Sequence, residues 1–171
     1  MTPLLQQLDA RDRALFLRYA ARAEHRDGGL RFWRLITHAG GARATIGLSI
    51  ASAALPAISV AIAWRTLLLL GVSHLVVQIV KRTVGRPRPT LHHPFAALVD
   101  IPDRFSFPSG HACAIMAVAL SLSVALPAVA IPLLTLAIVV GFSRVVLGVH
   151  YPGDVLAGQI IALVSAYPFL A

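Results

Sequence analysis

Three short clusters in this chain hold the residue types that phosphate chemistry needs, and each lies at the end of an apolar run. The first is Lys81-Arg82-Thr83-Val84-Gly85-Arg86-Pro87-Arg88-Pro89, and the second is Pro108-Ser109-Gly110-His111. The third is Ser143-Arg144, followed by His150 and Asp154. Arginine's planar fork suits phosphate oxygens, and lysine adds a point charge. One glycine and two prolines restrict the loop that carries Arg86 and Arg88, so its cations are partly preorganised. Ser109 is a good N-cap, and the amides of Gly110 and His111 at a helix start would face an anion. Gly110 has no side chain, so a phosphate oxygen can come close. His111, on the first turn, is placed to donate a proton. Pro152 suits a first helical position, which puts Asp154 in the first turn of a helix and leaves His150 just outside it. An aspartate taking the imidazole Nδ1–H would fix the tautomer and leave Nε2 free to attack. Each cluster also has a plain structural reading: a polybasic edge facing lipid headgroups, a helix cap with a buried histidine, a snorkelling arginine. Arg82 and Arg86 fit the polybasic edge alone. Only together do the clusters supply cations, nucleophile and acid.

Whether they meet depends on the elements that carry them. The chain has 171 residues, is 57% hydrophobic and only 13% charged, and has a mean hydropathy of +0.77. That composition points to a membrane protein and an all-α fold, a polytopic bundle of transmembrane helices. The net charge of +8 raises nucleic acid as a partner, but the cations sit between apolar segments without interleaved aromatics, so no nucleic acid is expected. Pro3 to Arg26 reads as an amphipathic helix, with Leu8, Leu15, Phe16 and Tyr19 among Asp9, Arg11, Arg13 and Arg18. It fits an interfacial helix or a soluble cap packed on the membrane domain. Residues 1–41 thus form an N-terminal amphipathic segment, and 42–171 the transmembrane domain. About five spans are expected: Ala44–Trp64 with a kink at Pro56, Thr66–Val80 after a turn at Arg65, Gly110–Leu126, Ala128–Val146 and Val155–Leu170. With five spans, all three clusters fall on one membrane face. Of 15 Lys and Arg residues only Arg65 lies at the other, which makes the clustered face cytoplasmic. Nothing near Met1 reads as a signal peptide. Cys113, the only cysteine, reads as a packed thiol. Ala51, Ser52, Ala53 and Ala54 permit close helix packing, within one chain or between copies.

Lys81-x6-Arg88-Pro89, Pro108-Ser109-Gly110-His111 and Ser143-Arg144-x5-His150-x3-Asp154 resemble, without a substitution, the signature of the type-2 phosphatidic acid phosphatase superfamily of membrane lipid phosphate phosphatases and soluble vanadium haloperoxidases. The resemblance implies that His150 is the nucleophile forming a phosphohistidine, with Asp154 orienting it. It implies that His111 protonates the leaving oxygen and then helps to activate water. Lys81, Arg88, Ser109, Gly110 and Arg144 would hold the phosphate oxygens, with no metal or other cofactor. His92, His93, Asp100 and Asp103 read as exposed loop residues and not as a metal site. Members of the family commonly have six spans, with the N-terminus opposite the site; here an amphipathic segment stands where the first span would be.

The expected activity is hydrolysis of a lipid phosphomonoester in the inner membrane, with phosphatidate, phosphatidylglycerol phosphate or a phosphorylated polyprenyl-linked sugar as substrate. The alternative is a polyprenyl diphosphate phosphatase. A non-catalytic phospholipid binder would need only the cations, and a transporter would gather its charges near the midplane.

Overall fold

The computed structural model describes residues 3–24, 27–91, 97–99, 101 and 103–170. Seven helices lie among them: α1 (Pro3–Glu24), α2 (Asp27–Thr37), α3 (Ala42–Ala51), α4 (Val60–Val84), α5 (Gly110–Ala125), α6 (Ala130–Val146) and α7 (Pro152–Leu170). The described residues contain no strand beyond a lone bridge between Pro87 and Phe105.

The centre is α5. It packs against α4, α6 and α7, and every residue from Ala112 to Ala119 is buried. Alanines allow this crowding, because a short side chain lets neighbouring backbones approach. One approach is tighter still: a Cβ at Gly158 of α7 would collide with the Ser109 carbonyl oxygen at the start of α5. The crossing carries a hydrogen bond from Ser109 N to Asp154 O at 2.8 Å, which joins the second cluster to the third.

The expected first span is corrected. The chain turns at residues 55–59, not at Arg65, and Arg65 lies inside α4. Pro56 brings no amide to continue a helix, and Ser59 caps the next one by accepting from Ile62 N at 3.3 Å. The turn is built from Leu55, Ala57 and Ile58, so its apolar composition hid it. α3 therefore rises only about 15 Å, about half a hydrocarbon core. The longer α4 ends at Gly85, whose φ of 62° is left-handed, with Gly85 N donating to Lys81 O.

Among the described residues two helices, Val60–Val84 and the stretch Pro127–Val146, are long and apolar enough to cross a membrane. Large apolar side chains stand exposed on α4, α6 and α7, among them Trp64, Leu75, Ile131, Leu163 and Val164. Such a belt is what acyl chains cover.

The helix α1 is packed on α6 and α7. Phe16 is buried edge-on against Tyr151 at 5.3 Å, while Leu8 and Leu15 stay exposed. A second helix, α2, occupies the stretch after Arg26 and stacks Trp33 on Phe142 of α6.

Candidate active site

His150 stands in the loop between α6 and α7, held by its own backbone: the amides of Val149 and His150 both donate to Arg144 O at 3.2 Å. Its side chain and that of Asp154 are buried. The expected Nδ1–Asp154 hydrogen bond is not closed; Nδ1 lies 3.6 Å from Oδ2. Asp154 Oδ2 instead accepts from Tyr151 N at 2.9 Å, and Oδ1 accepts from Arg86 Nη1 at 2.7 Å. The other ring nitrogen settles the tautomer. Arg88 Nη1 lies 3.2 Å from Nε2, and a guanidinium can only donate. Nε2 therefore carries the lone pair and Nδ1 the proton. Burial pushes the His150 imidazole down to about 4, against the pull of Asp154, so the ring is neutral at neutral pH.

Arg88 and Lys81 share one partner. Arg88 donates through Nε to Asp103 O at 2.7 Å, through Nη2 to Asp103 Oδ1 at 2.9 Å, and through Nη1 to Val149 O at 2.8 Å. Lys81 Nζ donates to both Asp103 oxygens, at 3.0 and 2.8 Å, and to Phe105 O at 3.2 Å. Partial burial raises the Asp103 carboxyl, but Lys81 and Arg88 outweigh it and hold it below the usual carboxylate range. Asp103, expected to be an exposed loop residue, keeps a part-exposed side chain but is paired with both cations. His92, His93 and Asp100 lie outside the described residues, and no metal-ligating cluster occurs among those described.

Six of the eight expected residues line one cavity of about 750 Å³: Lys81, Arg88, Gly110, His111, Arg144 and His150. Ser109 and Asp154 sit behind it, fully buried. The Ser109 hydroxyl caps α5, 3.5 Å from Ala112 N. Arg144 Nη1 donates to Thr37 at the end of α2, at 2.8 Å, and its buried Nε has no hydrogen-bond partner among the described residues. From this charged end the cavity runs along α4 past Gln78 and His74 to Leu70 and Leu67, with Thr45 and Ile46 of α3 opposite.

Sequence reasoning missed Arg86 as well. Its guanidinium holds Asp154, Asp12 and Asp9 at 2.7 to 2.8 Å and stacks over the Tyr151 ring at 4.1 Å. Burial works against its charge, but the Asp154 and Asp12 carboxylates prevail and hold its proton above the ordinary arginine value. The available signal was an arginine fixed between Gly85 and Pro87, with carboxylates at helical spacing in α1.

Comparison with known proteins places this geometry. The chain is 43% identical over 91 residues to decaprenylphosphoryl-5-phosphoribose phosphatase of Mycobacterium tuberculosis, covering 51% of this chain and 48% of that protein. It is 35% identical over 91 residues to lipid A 1-phosphatase of Rhizobium johnstonii, covering 50% and 37%. It is 29% identical over 100 residues to undecaprenyl-diphosphatase BcrC of Bacillus subtilis, covering 58% and 52%. The chain spans about half the length or less of these curated relatives. The crystal structure of a transmembrane PAP2-type phosphatidylglycerolphosphate phosphatase from Bacillus subtilis superposes with a TM-score of 0.77 at 28% identity, over 98% of this chain and 85% of that one. Aquifex aeolicus LpxE shares the fold, with a TM-score of 0.80 at 22% identity over 92% and 93%. Residues 62–171 match the PAP2 superfamily, and with the three clusters gathered at one cavity, the chain belongs to that superfamily.

Proposed function

We propose that this protein is a membrane phosphatase that removes a terminal phosphate from a lipid headgroup through a phosphohistidine. The carrying observation is the cavity itself, charged at one end and apolar at the other. Lys81, Arg88, Arg144 and the amide end of α5 at Gly110 would bind the phosphate oxygens and stabilise charge on the transferring group. The neutral Nε2 of His150 attacks phosphorus, the bond to the lipid oxygen breaks, and His111 gives that oxygen a proton. Water then attacks the phosphohistidine, His111 takes its proton, and the P–N bond breaks to release phosphate.

The lining of the cavity bears on the substrate. Lys81, Gln78 and His74 share one face of α4, three and four residues apart, with Gln78 and His74 paired at 3.1 Å. Seven residues of helix separate the lysine from the histidine by about 10 Å before the apolar lining begins. That length suits a hydroxyl-bearing group, such as a sugar, between the phosphate and the chain. A second phosphate there would meet an amide and an imidazole in place of further cations, which favours a monophosphate over a polyprenyl diphosphate.

Purified protein in detergent with excess chelator tests both parts. Phosphate release from a phosphorylated sugar lipid should exceed release from polyprenyl diphosphate, and His150→Ala should lower it by at least about 10³-fold. Equal release by wild type and variant removes His150 as nucleophile. Faster release from the diphosphate overturns the substrate reading alone. We assign α3 with its continuation to Ala54, α4, α5, α6 and α7 to five passes, the first of them short, with the charged end of the cavity at the cytoplasmic face of the inner membrane.

A further inference from the structure

We propose that α1 is a working part of this site, and that Asp12 is a positioning residue that sets Asp154 through Arg86. The inference rests on the phosphatase reading of His150. It concerns a helix that lies outside the segment matching the superfamily, which begins at residue 62.

Three carboxylates surround one guanidinium. Arg86 Nη1 donates to Asp154 Oδ1 at 2.7 Å and to Asp12 Oδ2 at 2.8 Å, and Nη2 donates to Asp9 Oδ1 at 2.8 Å. Arg13, one turn along α1, holds the other oxygen of Asp9 at 2.8 Å. Removing the α1 carboxylates would leave Arg86 with Asp154 as its one carboxylate among the described residues, and would free the guanidinium to pivot. Among the described residues Arg86 is the arginine or lysine paired with Asp154, whose second oxygen accepts from the Tyr151 amide.

An independent contact ties the same residue to the other side of the loop. Asp12 Oδ1 accepts from Gly153 N at 2.7 Å, so a carboxylate 141 residues away caps the first turn of α7. The negative charge there is matched to the positive end of the helix. Space is tight there: a Cβ at Gly153 would lie 2.9 Å from Asp12 Oδ2, and the Asp12 side chain would have to shift. Phe16 completes the grip by packing edge-on against Tyr151. The segment from Tyr151 to Asp154, which follows His150 directly, is thus held from α1 at its ring, its amide and, through Arg86, its carboxylate. A shift of a few tenths of an ångström in Asp154 changes the 3.6 Å gap that must close on Nδ1 as the ring takes on charge.

The test uses full-length protein in detergent, after His150→Ala has established the phosphatase reading on a chosen lipid phosphomonoester. Asp12→Asn keeps the shape and removes the charge. It should lower kcat about tenfold with KM within about twofold, and Asp12→Glu should recover part of the loss. Gly153→Ala displaces the same carboxylate from the other side and should give a similar fall in kcat. The double variant Asp12→Asn/Gly153→Ala should lose no more than either alone, because both break one coupling. Unchanged kcat in Asp12→Asn overturns the proposal. So does a loss that appears in KM, or multiplicative losses in the double variant, either of which marks α1 as a purely structural cap.

Discussion

His150 keeps two nitrogens in different company, and that difference sets its pH behaviour. Burial holds the imidazole at about 4, well under its ordinary 6.5. With a neutral ring required for attack, the limb of kcat/KM that belongs to His150 should appear as a fall where the ring protonates, near pH 4. The kcat limb, read with a phosphate dianion beside the ring, should lie at higher pH. Stability follows the same sign: between 6.5 and about 4 the unfolded chain binds a proton that the folded chain refuses, so stability drops as pH falls through that window. Rate profiles and thermal melts across pH 4–8 check both. Asp103 makes a second prediction. Its carboxylate competes with phosphate for Lys81 and Arg88, so Asp103→Asn should tighten inhibition by inorganic phosphate about fivefold. Weaker inhibition would show that Asp103 instead holds the two cations in place. The gathering of six of the eight expected residues at one cavity was legible because the three clusters, each ordinary alone, together supply cations, a helix N-terminus and histidines at the ends of apolar runs. Asp103 and Arg86 were not, since their roles arise from partners 15 to 77 residues away and no spacing rule joins them.

Among the helices, the crossing of α5 and α7 does most to assemble the site. Gly158→Ala would press a methyl into the Ser109 carbonyl and strain the Ser109–Asp154 backbone bond. The expected cost is about 1–3 kcal/mol of stability, with a loss of activity that exceeds the loss of folded protein. Thermal unfolding in detergent beside specific activity per folded molecule measures it. Helices α5 to α7 could be read from their caps and breakers: Ser109, Pro127 and Pro152 stand at or just before a helix start. Pro56 sat in a run with no charge to mark the turn, and the boundary moved to the nearest arginine. For α1 the helix and the burial of Phe16 were legible, but the rest of its inward face was not. Its inward face is Asp9, Asp12, Phe16 and Ala20, so two of four positions are acidic and an apolar-stripe search points to Leu8 and Leu15 instead. Ion pairing to Arg86 overrode hydrophobic pattern there.

For the molecule as a whole, the five passes proposed above would put the first and last described helices at opposite ends of the charge asymmetry. A reporter fused after Ala171 should therefore read the face away from the cations, while one fused before Met1 reads the same face as Lys81. Matching signals at both ends would overturn the five-pass assignment. The cavity's apolar wall adds a kinetic consequence. It runs between α3 and α4, where Ile46, Gly71 and His74 are exposed on the same flank as Trp64 and Leu75. A substrate whose tail never leaves the bilayer arrives there by sideways diffusion in a plane, and bulk concentration has no meaning for it. Turnover should follow the mole fraction of substrate in mixed micelles, falling as inert detergent is added at constant total substrate. A rate indifferent to such surface dilution would mean that the lipid enters from water instead.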